Sequence, residues 1–104
     1  MCHAEPMTAY LIANYDVVDP EAYRDYQGKS RPIMAGGAKL LVLDRTSSAV
    51  EGDAGAQTVV IEYPTREAAE AAYHSEGYQA VVGIRHGATE NGRAVIVDGF
   101  TPPS

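Results

Sequence analysis

The chain is 104 residues long and carries a formal net charge of −6, which suits a single small acidic domain. Its eight Lys and Arg residues are scattered along the sequence, so binding to a nucleic-acid backbone is not expected. The single cysteine, Cys2, excludes an intrachain disulfide framework.

The sequence shows no pattern of a membrane or secreted protein. No apolar run approaches the roughly 20 residues of a membrane span, and the N-terminus lacks the basic and hydrophobic regions of a signal peptide. We therefore expect a cytoplasmic protein with no membrane partner. The pattern divides the chain into an N-terminal extension over residues 1–8, a single domain over residues 9–100 and a C-terminal tail over residues 101–104.

The first third of the chain predicts a strand followed by a helix. Residues 10–15 are rich in side chains that favour β-structure. Asp19 is a good N-cap because its carboxylate can accept bonds from free backbone N–H groups, and Pro20 fits the first helical position. The pair Gly36-Gly37 should end this helix.

The rest of the chain predicts three strands and a divided helical segment. Ser75 marks a break and a new N-cap within that segment, and the pair Asn91-Gly92 predicts a turn before the last strand. These strands lie at residues 38–43, 57–64 and 93–98, and the helical segment lies at residues 65–85. Residues 57–64 have apolar side chains at both odd and even positions, which point to opposite faces of a strand, so neither face suits water.

The predicted order is β-α-β-β-α-β, which places the chain in the α+β class. With right-handed crossovers, this order gives an antiparallel four-stranded sheet with both helices on one face. About seven large apolar side chains, roughly 700 Å², would then remain on the other face, more than a soluble monomer commonly exposes. Doubled across a two-fold axis, this area enters the usual interface range of about 1,200–2,000 Å². We therefore expect a homodimer packed through the open sheet face.

A set of short motifs resembles the bacterial family called domain of unknown function 1330, in the right order and spacing over about residues 9–100. The residues that carry the resemblance are Asp19-Pro-Glu-Ala-Tyr23, Tyr26, Gly36-Gly37, Val60-Ile-Glu-Tyr-Pro64, Glu67-Ala-Ala69, Tyr73, Ser75, Tyr78-Gln79, Arg85 and Val95-Ile-Val-Asp-Gly99. One departure is Ser75-Glu76-Gly77-Tyr78, where the family tends to have Ser-Pro-Glu-Tyr. A pocket role of that Glu in relatives would be lost or displaced here.

The resemblance implies a ferredoxin-like fold in the dimeric α/β barrel superfamily. Relatives in that superfamily include small monooxygenases, muconolactone isomerases, haem-degrading enzymes and chlorite dismutases. The fold therefore does not select a function, and the family itself has no established reaction.

Two charged residues are candidates for catalysis. Arg85 follows a helical piece and could hold a substrate carboxylate in a bidentate grip, as its place in the family pattern favours. The alternative is a structural salt bridge or a charge at a helix C-terminus. Glu62 lies in a strand that otherwise suits burial, where a raised pKa would make it a general acid or base. Alternatively, it is a solvated or arginine-paired carboxylate near the strand end.

Five polar residues are candidates for substrate binding. Asn14 is polar among apolar neighbours, and it either points into a pocket or satisfies the backbone of a loop. Seven tyrosines stand against one phenylalanine. Tyr23, Tyr26, Tyr73 and Tyr78 could line a cavity between the helices and the sheet, or form a core with their hydroxyls at its rim.

Metal and cofactor sites find no support in the sequence. His74 and His86 lack the spacing partners of a metal site, and the sequence predicts neither a nucleophile elbow nor a phosphate loop. We therefore expect no cofactor and no metal.

The leading hypothesis is a homodimer that binds or converts a small aromatic or carboxylated molecule in a pocket between sheet and helices. If it is an enzyme, a cofactor-independent isomerase- or monooxygenase-like reaction is expected, with Arg85 orienting the substrate and Glu62 or a tyrosine moving a proton. The alternatives are a non-catalytic small-ligand-binding or assembly module, and a haem-binding protein.

Overall fold

The computed structural model describes residues 8–32 and 37–100, which form one antiparallel sheet of four strands in the order β2-β3-β1-β4. The elements in chain order are β1 (Ala9–Val17), α1 (Pro20–Ser30), β2 (Lys39–Asp44), β3 (Gln57–Tyr63), α2 (Arg66–Tyr73), α3 (Glu76–Ala88) and β4 (Thr89–Asp98). The α+β class expected from the order of elements and the ferredoxin-like fold implied by the resemblance are both confirmed. None of the helices in the described ranges is long and apolar enough to cross a membrane.

Side-chain caps begin all three helices. The Asp19 carboxylate accepts a hydrogen bond from the N–H of Ala22 at 3.1 Å, and Pro20 follows as the first helical residue. Thr65 caps α2 in the same way. The Ser75 hydroxyl accepts from the N–H of Tyr78 at 3.1 Å, so the predicted break separates α2 from α3. Each cap satisfies backbone donors that the first turn of a helix leaves free.

Alternate residues of the central strands point to the helices and form the core. In β1 these are Ala9, Leu11, Ala13 and Tyr15, each at most 8% exposed. They form two apolar clusters with residues of β3 and of the three helices. The buried core therefore lies entirely on the helical side of the sheet.

None of the described helices covers the other face of the sheet, which is called the open face here. Ile12 lies at its centre and pairs with Val60 on one side and Val95 on the other. Val42 extends this apolar row to β2, opposite Val60. Val42 is 39% exposed and Val95 is 52% exposed, so part of this apolar row contacts solvent in a single subunit.

Two boundaries differ from the sequence prediction. Asn91 and Gly92, predicted as a turn, lie inside β4, which begins at Thr89. The pairing with β1 shifts there, and Asn91 adopts a φ of 58°. Asparagine tolerates this left-handed conformation, and here it serves a strand irregularity instead of a turn.

The other difference concerns the end of the first helix and the ends of the chain. α1 ends at Ser30, whereas the predicted stop at Gly36 lies outside the described residues. Residues 1–7 of the predicted extension and residues 101–104 of the predicted tail also lie outside them.

Candidate functional site

A cavity of about 350 Å³ lies between α1 and the helical side of the sheet. Its volume falls in the range that small-molecule sites occupy. The apolar part of its wall is formed by Leu11, Ala13, Leu40, Leu43, Val59 and Ile61. The polar part is formed by Tyr15, Tyr23, Tyr26, Gln27, Ser30, Arg31, Tyr78 and Arg85. The cavity therefore joins an apolar side to a polar one.

A β-bulge places two leucines of β2 on the cavity wall. Leu40 pairs with Ile61 and Leu43 pairs with Val59, while the register shifts between them. Residues three apart in a regular strand face opposite sides, so the extra residue brings both onto one side. Leu40 and Leu43 remain 54% and 40% exposed at this edge strand. The apolar side of the cavity is thus open at the β2 edge.

Arg85 of α3 is a buried cation at the polar side of the cavity, only 6% exposed. Its guanidinium carbon lies 5.4 Å from the centroid of the Tyr15 ring and 5.9 Å from that of Tyr26. These distances place the charge over two ring faces, in the range of cation–π attraction. Tyr15 comes from β1 and Tyr26 from α1, so three elements position the guanidinium.

Arg85 forms no ion pair within the described part of the chain, where every ion pair involves other residues. Burial acts to lower the pKa of its guanidinium, but the oxygens of Tyr78, Tyr26 and Tyr15 outweigh burial and raise it. The group is therefore always charged. Of the two predicted alternatives, a salt bridge is not formed among the described residues, but Arg85 does lie in the last turn of α3, where a cation suits the helix C-terminus.

Four tyrosines of the wall are joined in two hydroxyl pairs. The oxygens of Tyr26 and Tyr78 are 2.5 Å apart, and those of Tyr15 and Tyr23 are 2.6 Å apart. The side-chain amide of Gln57 donates to the Tyr23 oxygen at 3.2 Å. Tyr15 and Gln57 were absent from the predicted site, although the alternation of β1 and β3 could have placed them once the helical face was known.

Burial keeps the hydroxyls of Tyr15, Tyr26 and Tyr78 protonated. It raises the pKa of Tyr15 and of Tyr78, and in each the hydrogen bond to its partner raises the pKa further. Burial also raises the pKa of Tyr26, although its bond to Tyr78 and the Arg85 charge partly oppose this. At neutral pH these side chains therefore act as neutral hydrogen-bonding groups and not as bases.

Tyr73 lies beside this cluster but does not line the cavity. Its ring packs on that of Tyr78, with centroids 5.2 Å apart. It lines a separate groove of about 330 Å³, which Arg85 and Tyr15 also reach. The structure thus brings together four predicted residues at the cavity: Tyr23, Tyr26, Tyr78 and Arg85. Tyr73 lies outside the cavity wall.

Glu62 lies on the open face, on the side of the sheet away from Arg85. Its neighbours Ile61 and Tyr63 point to the helices, so alternation turns Glu62 the other way. Tyr10 donates its hydroxyl proton to the Glu62 carboxylate at 3.3 Å, and the Lys39 ammonium lies 3.9 Å from it. Glu62 and Arg85 were predicted to act in one pocket, but within one subunit they lie on opposite sides of the sheet.

Asn14 also faces away from the cavity and holds a loop. Its amide nitrogen donates to the carbonyls of Gly55 and Gln57 and to the Thr58 hydroxyl, at 3.0 to 3.2 Å. Its oxygen accepts from the Gly55 N–H at 2.6 Å. A Cβ at Gly55 would collide with the backbone of Tyr15, so the loop passes directly against β1. The geometry matches the alternative that Asn14 satisfies a loop backbone.

The described residues contain no group of three or more His, Cys, Asp or Glu that could hold a metal ion. His74 is exposed and lies 3.5 Å from the Glu70 carboxylate on the same helical segment.

The cavity wall offers a cation and hydroxyl groups, which suit an anionic oxygen group on a ligand.

Comparison with known families identifies the chain. The family described as Domain of unknown function (DUF1330) matches residues 8–100. The chain belongs to this family. The resemblance seen in the sequence motifs is thereby confirmed over nearly the whole chain. No curated protein matches the chain at a significant level.

Solved structures support the DUF1330 chain's fold but are distant in sequence. A protein of unknown function from Rhodopseudomonas palustris has 18% identity and a TM-score of 0.75, covering 95% of this chain and 86% of that one. A dimeric ferredoxin-like protein of unknown function from Thermobifida fusca has 13% identity and a TM-score of 0.63, covering 95% and 97%. SnoaB, a cofactor-independent oxygenase from Streptomyces nogalater, has 10% identity and a TM-score of 0.63, covering 94% and 95%. Such identities establish a shared fold and not a shared reaction.

Proposed function

We propose that this protein is a homodimer that binds a small molecule with an anionic group on an apolar or aromatic body, in the cavity between α1 and the sheet. The observation that carries the proposal is Arg85, a buried cation on the wall of a largely apolar cavity that forms no ion pair with the described residues. Arg85 holds the anionic group. The apolar body contacts Leu11, Leu40, Leu43 and Val59.

The physical reason is the cost of burying a charge. A guanidinium removed from water loses hydration, which the rings of Tyr15 and Tyr26 and the neighbouring tyrosine oxygens offset. A carboxylate on the ligand would add a full negative charge and accept charge-assisted hydrogen bonds. Ligand binding therefore supplies a counter-ion that none of the described residues provides to Arg85.

Binding is better supported than catalysis by the same wall. The residues that line the cavity include no carboxylate and no imidazole among the described ones. The raised pKa values of Tyr15, Tyr26 and Tyr78 make these hydroxyls poor bases at neutral pH. The Streptomyces nogalater protein is named as a cofactor-independent oxygenase. A reaction of that kind in this cavity would need a substrate that is already ionised, because the described wall residues offer no base to remove a proton.

The open face supports the homodimer. Ile12, Val42, Val60 and Val95 form a continuous apolar row across the four strands, with no helix above it. A second copy of the same face is self-complementary across a two-fold axis. The Thermobifida fusca protein of the same fold is dimeric by its own description.

Substitution of Arg85 tests the binding proposal. In Arg85→Gln we expect the affinity for aromatic carboxylates, measured by isothermal titration calorimetry, to fall by at least about 30-fold, because one partner of a buried charge pair is removed. Arg24→Gln on the exposed side of α1 is the matched control and should bind as the wild type does. Equal affinities of Arg85→Gln and wild type would contradict the proposal.

A further inference from the structure

We propose that the cavity recognises the polar end of its ligand as a carboxylate, through Arg85 together with one spare hydroxyl proton from each of two tyrosine pairs, and that it rejects neutral isosteres. This inference rests on the proposed binding function and specifies the ligand's chemical class. It assigns specificity to the tyrosine pairs as well as to the arginine.

The first step is a count of protons in the pair Tyr26–Tyr78. Two hydroxyl groups carry two protons, and the single bond between their oxygens, 2.5 Å apart, uses one of them. Whichever tyrosine donates, the other hydroxyl keeps a proton. Both residues line the cavity, and no described residue accepts this second proton, so it can be donated to a ligand.

The pair Tyr15–Tyr23 gives the same result. The oxygens are 2.6 Å apart and share one proton. The Gln57 amide donates to the Tyr23 oxygen and consumes acceptor capacity, not a proton. One hydroxyl proton of this pair therefore also remains unused within the described residues.

Arg85 unites the two pairs into one binding group. Its guanidinium lies over Tyr15, a member of one pair, and over Tyr26, a member of the other. The rings of Tyr23 and Tyr26 are in contact as well, with centroids 5.6 Å apart. The polar side of the cavity thus presents a fixed positive charge flanked by two hydroxyl donors.

A carboxylate matches this arrangement better than a neutral group of the same shape. It has about four acceptor positions, carries no proton to place and neutralises the charge of Arg85. A primary amide offers one carbonyl oxygen and adds two N–H donors, which must find acceptors among the hydroxyl and amide oxygens of the wall. It brings no negative charge to pair with Arg85.

The strand order sets the orientation of the ligand. The charged cluster lies over the central strand β1, whereas Leu40 and Leu43 lie on the edge strand β2. A ligand therefore enters with its carboxylate inward and its apolar body toward the β2 edge. There it covers leucines that are otherwise about half exposed.

Matched acid and amide probes test the inference. Benzoate and 2-naphthoate are titrated against benzamide and 2-naphthamide by calorimetry, using the full chain. We expect each acid to bind wild type at least about tenfold more tightly than its amide, since hydrogen bonds to charged groups contribute that much or more. This comparison needs no variant and does not depend on the folding of one.

Two double phenylalanine variants then test the tyrosines. Tyr26→Phe/Tyr78→Phe and Tyr15→Phe/Tyr23→Phe keep the rings but remove both hydroxyls of one pair, and with them its spare proton. Each should weaken acid binding by about ten- to a hundredfold and weaken amide binding less. Tyr63→Phe is the matched control, because Tyr63 is buried on β3 but does not line the cavity. Circular dichroism establishes that each variant is folded.

The outcomes separate this inference from the proposed function. If neither the acids nor the amides bind, the binding function fails and the inference fails with it. If acid and amide bind wild type equally, binding in the cavity stands and the carboxylate assignment is overturned. If the acid preference is undiminished in both phenylalanine variants, the assigned role of the tyrosine pairs is overturned.

Discussion

The Arg85 side chain is a cation enclosed between the rings of Tyr15 and Tyr26. On an exposed helix face, the same cation would have water as its partner. Burial raises the pKa of both tyrosines, and their oxygens, with that of Tyr78, raise the pKa of Arg85 against the effect of its burial. These three neighbouring groups therefore keep their protons at neutral pH.

The raised tyrosine pKa values predict a loss of stability at alkaline pH. An unfolded tyrosine ionises near pH 10, whereas Tyr15, Tyr26 and Tyr78 stay protonated when folded. Above about pH 10 the unfolded state binds fewer protons, so the free energy of unfolding falls as pH rises toward the folded pKa values. Below about pH 9 these groups should not make the free energy of unfolding depend on pH. Urea unfolding across this range measures the effect.

Two single phenylalanine variants provide the control for that experiment. Tyr26→Phe removes one group with a raised pKa, so the alkaline decline should be shallower than in wild type. Tyr10 lies beside Glu62 on the open face, outside the buried tyrosine pairs, and Tyr10→Phe is the matched control that should leave the slope as it is. An unchanged slope in Tyr26→Phe would contradict the buried, protonated state of that hydroxyl.

At the scale of elements, a bulge in β2 shapes the cavity wall, whereas a tethered loop stabilises the opposite side of the sheet. The bulge in β2 brings Leu40 and Leu43 to one wall, and the irregularity at Asn91 lets β4 continue past the end of its regular pairing. The loop between β2 and β3 is fixed to β1 by the Asn14 side chain and to β4 by a bond from Asn91 to the Asp53 carbonyl. The loop therefore spans the sheet from β3 to β4.

Removal of the Asn14 side chain should destabilise the fold without affecting the cavity. Asn14→Ala loses its bonds to the backbone of Gly55 and Gln57 and to the Thr58 hydroxyl, at a cost of about 2–3 kcal/mol in the free energy of unfolding. Thr46→Ala, exposed in the same loop, should change it by less than about 0.5 kcal/mol. Urea denaturation measures both.

Ligand affinity completes that test, because Asn14 faces away from the cavity. The folded fraction of Asn14→Ala should bind aromatic carboxylates with the wild-type affinity. A specific loss of binding in a variant of unchanged stability would instead indicate that Asn14 contacts the ligand.

At the scale of the whole molecule, a single subunit has the shape of one half of a layered structure. Its dimensions are 51 × 35 × 16 Å and its radius of gyration is 14.8 Å, larger than the roughly 13 Å of a compact domain of this length. The helices cover one side of the sheet and leave the apolar row around Ile12 uncovered. A flat subunit with one bare apolar face suits assembly through that face.

A charge on the open face should separate the proposed dimer. Wild type should sediment at twice the 11.1 kDa of one chain, and Val95→Lys or Val42→Lys should shift it to the monomer, because a charge would be buried between two sheets. Val18→Lys is the control, since Val18 is equally exposed but follows the end of β1. Sedimentation velocity at micromolar concentration distinguishes the two masses, and a wild type that sediments as a monomer would contradict the proposal.

The sequence by itself determined the order of elements and most of their ends. Caps at Asp19, Thr65 and Ser75 are local signals, since they depend on bonds within one turn of a helix. Arg85 and the tyrosines could be named as candidates because a cation and hydroxyls in apolar elements are unusual. Their roles toward a ligand stay predictions.

Only the tertiary structure decided which of these residues share a site. Strands with apolar residues on both parities give no local sign of which side the helices cover, so alternation alone could not separate Glu62 and Asn14 from Arg85. Nor could it reveal that a bulge in β2 turns Leu40 and Leu43 to the same wall. The side of the sheet to which a side chain points is set by the register between strands and by the packing of helices far away in sequence. Neither is encoded in any single segment.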